Sequence, residues 1–76
     1  MTELVQLIVR GLVDNPDEIE IESREDGDQT ILELRVARPD LGKVIGKQGR
    51  TARSIRTLLA AAGDRDDRDY VLDILD

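Results

Sequence analysis

Apolar residues recur at helical spacing from Thr2 to Val13. On a helical wheel they cover more than half of the circumference and leave only a narrow polar strip. The pattern predicts a helix with Thr2 as its N-cap, ended by Pro16, because the residue before a proline avoids helical geometry. The apolar surface is wider than a one-sided surface helix needs. Either the domain wraps this helix or part of it contacts another chain, and the residues predicted at such a contact between chains are Leu7, Val9 and Val13.

Two later segments alternate between apolar and polar residues, as half-buried strands do. The first runs from Glu18 to Arg24 and the second from Thr30 to Ala37. Asp26-Gly27 lies between them and is typical of a hairpin turn. The side chains predicted to face the interior are Ile19, Ile21, Leu32, Leu34 and Val36.

The second half of the chain returns to helical spacing. Pro39 is well placed to begin a short helix that runs to about Ile45. A longer helix is predicted from Arg50 to Ala62, with Gly63 as its C-cap, and a last strand from Tyr70 to Leu75. The order αββααβ predicts an α+β fold over residues 1–76, a single domain whose three-stranded sheet carries its helices on one face.

The composition excludes much of catalytic chemistry. The chain of 76 residues has no histidine and no cysteine, so it lacks the commonest general base, the commonest metal ligand and any thiolate. A chain of this length also has no room for a large closed active site. We therefore predict no enzyme activity, no catalytic residue, no metal, no cofactor and no small-molecule substrate. No apolar run approaches the length of about 20 residues that spans a bilayer, and the N-terminus lacks a basic leader, which predicts a cytoplasmic protein without a membrane partner.

The distribution of charge is uneven. The formal net charge is −6, which by itself argues against a polyanionic partner. Yet no acidic residue occurs from Leu41 to Gly63, and five of the eleven cations lie there. Charges in solvent are largely screened beyond about 8 Å at physiological salt, so a basic face is compatible with an acidic body. The five cations are Lys43, Lys47, Arg50, Arg53 and Arg56.

The segment Gly46-Lys47-Gln48-Gly49 lies between two predicted helices in this acid-free window. Gly46 is suited to a left-handed backbone at the end of the first helix. The first amides of the next helix have no internal acceptor and favour an anion, for which phosphate is the obvious candidate. Such a helix pair is often only a connector, but a connector gives no reason to exclude acids. The spacing fits neither a Walker loop nor a dinucleotide-binding motif, which favours an extended polyanion.

These residues resemble those of a KH domain, whose hallmark is an I-G-x-x-G loop between two helices, here Ile45 to Gly49. The order αββααβ resembles the type II arrangement. The whole chain resembles the small bacterial single-KH RNA-binding proteins of the KhpA family. The segments that carry this closer resemblance are Leu12–Pro16, Leu34–Ala37 and Asp40–Arg50.

The resemblance implies single-stranded RNA in a cleft, with the loop and its helices as one wall and the second strand as the other. Loop amides and Lys47 would hold phosphates, and bases would lie on an aliphatic floor that includes Ile55 and the strand from Leu34 to Ala37. Such a cleft needs no aromatic platform, and the chain has one aromatic residue, Tyr70. The residues predicted to bind RNA are Lys43, Val44, Ile45, Gly46, Lys47, Gln48, Gly49, Arg50 and Arg53.

The resemblance also implies self-association, pairing with a second KH protein of the Jag type, and a role as an RNA chaperone or regulator. An alternative is an interaction module whose KH fold serves mainly dimerisation. The two are compatible, because one KH domain contacts few nucleotides and pairing adds avidity. The chain differs from the family mainly in the acids between Asp64 and Asp76, which are predicted to form a solvated turn and strand end.

Overall fold

Helices cover one face of a three-stranded mixed sheet in a computed structural model that describes residues 1–75. The sheet order is β1-β2-β3, with β1 antiparallel to β2 and β2 parallel to β3. The elements are α1 (Thr2–Arg10), β1 (Glu20–Asp26), β2 (Gln29–Arg35), α2 (Leu41–Ile45), α3 (Arg50–Asp66) and β3 (Asp69–Leu75), with short 3₁₀ turns at Pro16–Glu18, Arg38–Asp40 and Lys47–Gly49. The α+β class and the order αββααβ are confirmed. Asp76, the last residue of the predicted domain, lies outside the described residues.

The core lies between the sheet and its helices. Leu32 and Leu34 of β2 are buried on the helix-facing side, and the residue paired with Leu32 on β3 is the buried Leu72. The alternation predicted for the second strand is therefore confirmed. Full burial of such a side chain is worth about 1.5–3 kcal/mol. The helical residues that complete this core are Val5, Val9, Val44, Ile55 and Leu59.

Helix α1 is shorter than predicted and has a different start. It ends at Arg10, and Met1 rather than Thr2 occupies the N-cap position without a side-chain cap. Part of the wide apolar surface of α1 packs against the rest of the same domain, because Val9 is fully buried. Val9 therefore belongs to the core, which removes it from the predicted contact between chains. Val13 is half-buried against the core, while Leu7 is 70% exposed.

The prediction that Gly63 caps the long helix is wrong. Helix α3 continues to Asp66, and Asp67 is the cap, with a left-handed backbone at φ +54°. Gly63 lies inside the helix where the following chain folds back against it. The N–H of Arg68 donates to the Gly63 carbonyl at 2.8 Å, and a Cβ on Gly63 would lie 2.3 Å from the Arg68 carbonyl oxygen. The glycine is needed for this close approach and not for a turn.

The hairpin forms at the predicted place but one residue later. Asp26 pairs with Gln29, so the turn is Gly27-Asp28, with φ +62° at Gly27. A glycine at the first turn position fits a type II′ hairpin. Arg68 directly precedes β3 and holds the start of that strand against the hairpin of β1 and β2. Its Nε donates to Thr30 Oγ1 at 2.5 Å, and its Nη2 pairs with the Glu25 carboxylate.

Neither a membrane-spanning helix nor a metal site is present in the described part of the chain. No helix within residues 1–75 has the length and apolar character needed to cross a bilayer. The same residues contain no group of three side chains placed to hold a metal ion.

Candidate nucleic-acid interface

The loop between α2 and α3 reverses the chain through positive φ angles. Gly46 has φ +79° and ψ 169°, Gln48 has φ +57° and Gly49 has φ +73°. Gly46 was predicted to be left-handed; its φ is positive, but its ψ places it in a region that only glycine adopts readily. Gln48 is a non-glycine residue in left-handed geometry, which costs about 1–2 kcal/mol. Such strain is typical of functional loops.

The loop is held by few backbone hydrogen bonds. Gly46 N–H donates to the Gly42 carbonyl at 2.8 Å, and Gly49 N–H donates to the Gly46 carbonyl at 3.1 Å. Among the described residues, no backbone bond outside the regular helices and strands involves the N–H of Lys47 or Gln48. Both residues are exposed, and they lie just before α3, whose N-terminal dipole favours an anion.

The two glycines of the loop serve different needs. A Cβ on Gly46 would collide with Thr51 at the start of α3, whereas a Cβ on Gly49 would meet no atom within 4 Å. Gly46 therefore allows two helices to meet closely. Gly49 is required by its backbone angle alone, and the space above it is open, as predicted.

The cations around the loop face solvent. Lys47, Arg50, Arg53 and Arg56 are exposed, and none of the ion pairs within residues 1–75 involves any of them. Arg50 Nη2 donates to the side-chain oxygen of Gln48 at 3.2 Å. No carboxylate of the described residues hydrogen-bonds to the loop. These cations form a positive surface that makes no ion pair with the acids of residues 1–75.

An open groove extends from the loop along α3. Its volume is about 550 Å³. It brings together the second half of the loop and the arginine-bearing face of the helix. The residues that line it are Gln48, Gly49, Arg53, Arg56, Thr57 and Ala60.

Lys43 was predicted to contact phosphate, but its ammonium group contacts two carboxylates. It pairs with Asp14, and it lies 3.6 Å from Asp40 Oδ1. The hydrogen bond to Asp14 is the main reason that the pKa of Lys43 is raised. Lys43 therefore fastens α2 to the segment after α1, and its charge is partly compensated by protein acids.

Asp40 is the centre of this contact between α2 and the segment after α1, and its role was not predicted from the sequence. Its carboxylate is fully buried and accepts hydrogen bonds from the Asp14 N–H at 3.2 Å, the Asn15 N–H at 3.0 Å and the Asn15 side-chain amide at 3.1 Å. Burial by itself raises the pKa of Asp40, but these bonds and the nearby Lys43 outweigh it, so the pKa is lowered. The carboxylate fixes the start of α2 just before the loop.

Both halves of this contact belong to segments that carried the family resemblance, Leu12–Pro16 and Asp40–Arg50. The sequence marked each segment separately. Nothing in the local pattern indicated that one folds against the other, because 25 positions separate Asn15 from Asp40.

The predicted aliphatic floor is mostly buried. Val44, Ile55 and Leu34 are at most 2% exposed, so the predictions that these side chains contact bases are wrong. They support the loop from beneath. Ile45 is 38% exposed and is accessible, as predicted.

The role predicted for the second strand, as the other wall of the cleft, stays a prediction. Strand β2 is the central strand of the sheet, and its helix-facing side is covered. Arg56, which lines the groove, donates from Nη2 to the Leu72 carbonyl of β3 at 3.2 Å. The half-buried Val36, at the end of β2, contributes to a separate depression of about 270 Å³ that also contains Leu41 and Leu75.

Comparison with known proteins covers nearly the whole chain. A family profile described as KhpA/KhpB, KH domain matches residues 2–74. The RNA-binding protein KhpA of Borreliella burgdorferi is 50% identical over 74 residues, which cover 97% of this chain and 90% of that protein. Its namesake in Caldanaerobacter subterraneus is 47% identical, with coverage of 99% and 100%, and that of Halalkalibacterium halodurans is 45% identical, with both chains fully covered. No solved structure matches significantly. The matched residues include the whole loop and the groove beside it.

Proposed function

The chain belongs to the KhpA/KhpB family of KH domains, and we propose that it is a non-catalytic RNA-binding protein that holds the backbone of single-stranded RNA at the loop from Gly46 to Gly49. Relatives that carry the name RNA-binding protein KhpA support RNA as the polyanion. They are named as binding proteins and not as enzymes, in agreement with the predicted lack of catalysis.

The observation that carries this proposal is the exposed loop together with the positive surface around it. A phosphate above Gly49 would be close to the amides of Lys47 and Gln48 and to the Lys47 ammonium. Arg50 and Arg53 follow on the adjoining turn of α3. Contacts of this kind hold a sugar-phosphate backbone irrespective of its bases.

The position of the acidic residues also favours the loop side of the molecule as the RNA-binding face. Glu22, Glu33 and Asp73 lie side by side across the three strands. Since the buried leucines alternate with them, these acids lie on the side of the sheet away from the helices. Their negative potential repels RNA and confines it to the loop side.

Reversing the charge of the loop tests the proposal. Lys47→Asp with Gln48→Asp is expected to abolish RNA binding and leave the fold intact, because aspartate tolerates the left-handed geometry at position 48. The matched control is Arg10→Asp with Gln6→Asp, which makes the same charge change at exposed positions of α1 and is expected to bind as the parent does. Equal RNA affinity of the loop variant and the parent would refute the proposal.

A second function, assembly, is favoured by the outer face of α1. Leu7 is 70% exposed and Leu4 is 40% exposed. We propose that this face pairs with a second copy or with a second KH protein of the Jag type, which would add avidity for RNA in a chaperone or regulatory role. Light scattering of the parent and of Leu7→Lys tests self-association. A strict monomer at high micromolar concentration would contradict it. A cytoplasmic location is part of the proposal.

A further inference from the structure

Arg56 differs from the other cations of the groove because its side chain is held by the protein backbone. Its Nη2 donates to the carbonyl of Leu72 on β3 at 3.2 Å, yet the residue is exposed. No carboxylate within residues 1–75 pairs with it. One corner of the guanidinium group is therefore fixed, while the side chain still lines the open groove.

The Leu72 carbonyl, which accepts this hydrogen bond, lies in a rigid part of the fold. The Leu72 side chain is 3% exposed in the core, and the strand is paired with β2 along its whole length. A guanidinium bound to such a carbonyl has lost much of its rotamer freedom before any ligand arrives. Preorganisation of this kind lowers the entropic cost of a further contact.

The groove offers no aromatic ring to a base, because its lining contains no aromatic side chain. Its planar groups are the guanidinium groups of Arg53 and Arg56 and the side-chain amide of Gln48. Tyr70, the one aromatic residue of the chain, is half-buried, and its hydroxyl donates to Asp66 at 2.8 Å. Unstacked RNA bases bind either to aromatic rings or to arginine planes, so a base that enters this groove can stack only on an arginine.

The position of Arg56 suits a base rather than the clamped phosphates. It lies six residues beyond Arg50 on α3, which is about 9 Å along the helix axis. That distance is within the span of the four or so nucleotides that a loop of this type holds. With the RNA backbone held at the loop, a nucleotide further along the RNA strand would lie beside Arg56.

We propose that Arg56 is a stacking platform for one nucleobase of the RNA strand and that the hydrogen bond to the Leu72 carbonyl holds its guanidinium group in place. The proposal rests on the proposed function, since the backbone must first be held at the loop. Arg56 would then allow the protein to discriminate RNA from a phosphodiester chain that lacks bases. The loop cations alone cannot do this, because they contact only phosphates.

The test uses Arg56→Lys, which keeps the positive charge but removes the plane and its fork of donors. Binding is measured by fluorescence anisotropy with a single-stranded adenosine oligomer and with an abasic phosphodiester of the same length. We expect Arg56→Lys to weaken binding of the adenosine oligomer by about fivefold to 150-fold, the range for one stacked base. Binding of the abasic oligomer should change by less than about twofold, because the charge is conserved.

Arg65→Lys is the matched control, since Arg65 is an exposed arginine of the same helix that lies outside the groove, and its guanidinium makes no hydrogen bond to another described residue. It is expected to leave both affinities within about twofold of the parent. Arg56→Gln, which keeps a planar amide, should retain more preference for the adenosine oligomer over the abasic one than Arg56→Lys does.

The outcomes separate the two proposals. If Arg56→Lys weakens both oligomers equally, or neither, the platform is refuted while RNA binding at the loop stands. If the parent binds neither oligomer, or if the loop variant Lys47→Asp with Gln48→Asp binds both as the parent does, the proposed function fails and the platform fails with it.

Discussion

A Cβ atom on Gly46 would lie 2.2 Å from Thr51 Oγ1 and 2.8 Å from the Thr51 backbone nitrogen. The second distance matters more, because a side chain can rotate away and a helix backbone cannot. The close approach of these two residues brings the end of α2 against the first turn of α3. It determines the shape of the loop between them.

We predict that Gly46→Ala destabilises the protein more than Gly49→Ala does. Gly49 needs only its left-handed angle and has open space around it, so an alanine there costs about 1 kcal/mol. At position 46 the backbone region is nearly exclusive to glycine, which adds about 1–3 kcal/mol of strain, and the collision with Thr51 adds more. Urea unfolding of the two variants measures this difference. Equal destabilisation would show that the contact with Thr51 is relieved at little cost.

Gly63→Ala should be destabilising although alanine is the better helix former. A Cβ there would meet the Arg68 carbonyl at 2.3 Å, and overpacking of this kind costs about 1–3 kcal/mol. The control is Gly42→Ala, since Gly42 lies in α2 and a Cβ there meets no atom within 4 Å. That change should stabilise by about 0.4–1 kcal/mol. If both changes shifted the free energy of unfolding in the same direction, the fold-back of Arg68 onto α3 would be in doubt.

Asp40→Asn should lower the thermal stability of the protein. Asp40 accepts hydrogen bonds from two backbone amides and the side-chain amide of Asn15, and it forms an ion pair with the Lys43 ammonium at 3.6 Å. Asparagine would present its own NH₂ donors to some of these groups. Differential scanning calorimetry measures the effect, and Asp17→Asn, at an exposed position of the same loop region, is the control. A variant as stable as the parent would contradict the fastening role of Asp40.

The acid dependence of stability should follow from the same carboxylate. The pKa of Asp40 in the folded protein is lowered from the ordinary value of 3.8. A group with a lowered pKa contributes stability that is present above its unfolded pKa and lost as pH falls through its folded pKa. Stability should therefore fall below about pH 4, and Asp40→Asn should flatten that fall. Unfolding midpoints across this range, compared with Asp17→Asn, measure it. An unchanged pH profile in Asp40→Asn would contradict the lowered pKa.

The salt dependence of RNA binding should report the number of phosphates held. With two to four contacts, the slope of log K against log salt should be roughly −1.5 to −3 for a single strand. Arg53→Gln should reduce the magnitude of that slope by about 0.7 if Arg53 contacts one phosphate. A slope near zero would mean that the cations of the loop and of α3 make no phosphate contacts.

Local pattern was sufficient for most of the fold. The alternation around Leu32 and Leu34 and the helical spacing around Ile55 each depend on neighbours in sequence, and each prediction was confirmed. The glycine pair at 46 and 49 was located in the same way. The error at Gly63 arose because a glycine near a helix end is usually a cap, whereas here the chain beyond it folds back.

The parts that pattern missed all depend on contacts distant in sequence. The burial of Val44 follows from its packing in the core cluster that several elements share, and the hydrogen bond from Arg56 to Leu72 joins α3 to β3. Asp40 and Arg56 act through Asn15 and Leu72, and neither pair is close in sequence. Periodicity reports which face of an element is apolar but not which element covers it.

The most direct measurement of the central claim is a titration of ¹⁵N-labelled protein with single-stranded RNA, followed by amide chemical shifts. We predict the largest shifts at the amides of Lys47, Gln48 and Gly49, with smaller ones along α3 through Arg53 and none on the acidic side of the sheet. Shifts concentrated around Glu33 and Asp73, with the loop amides unmoved, would contradict the account.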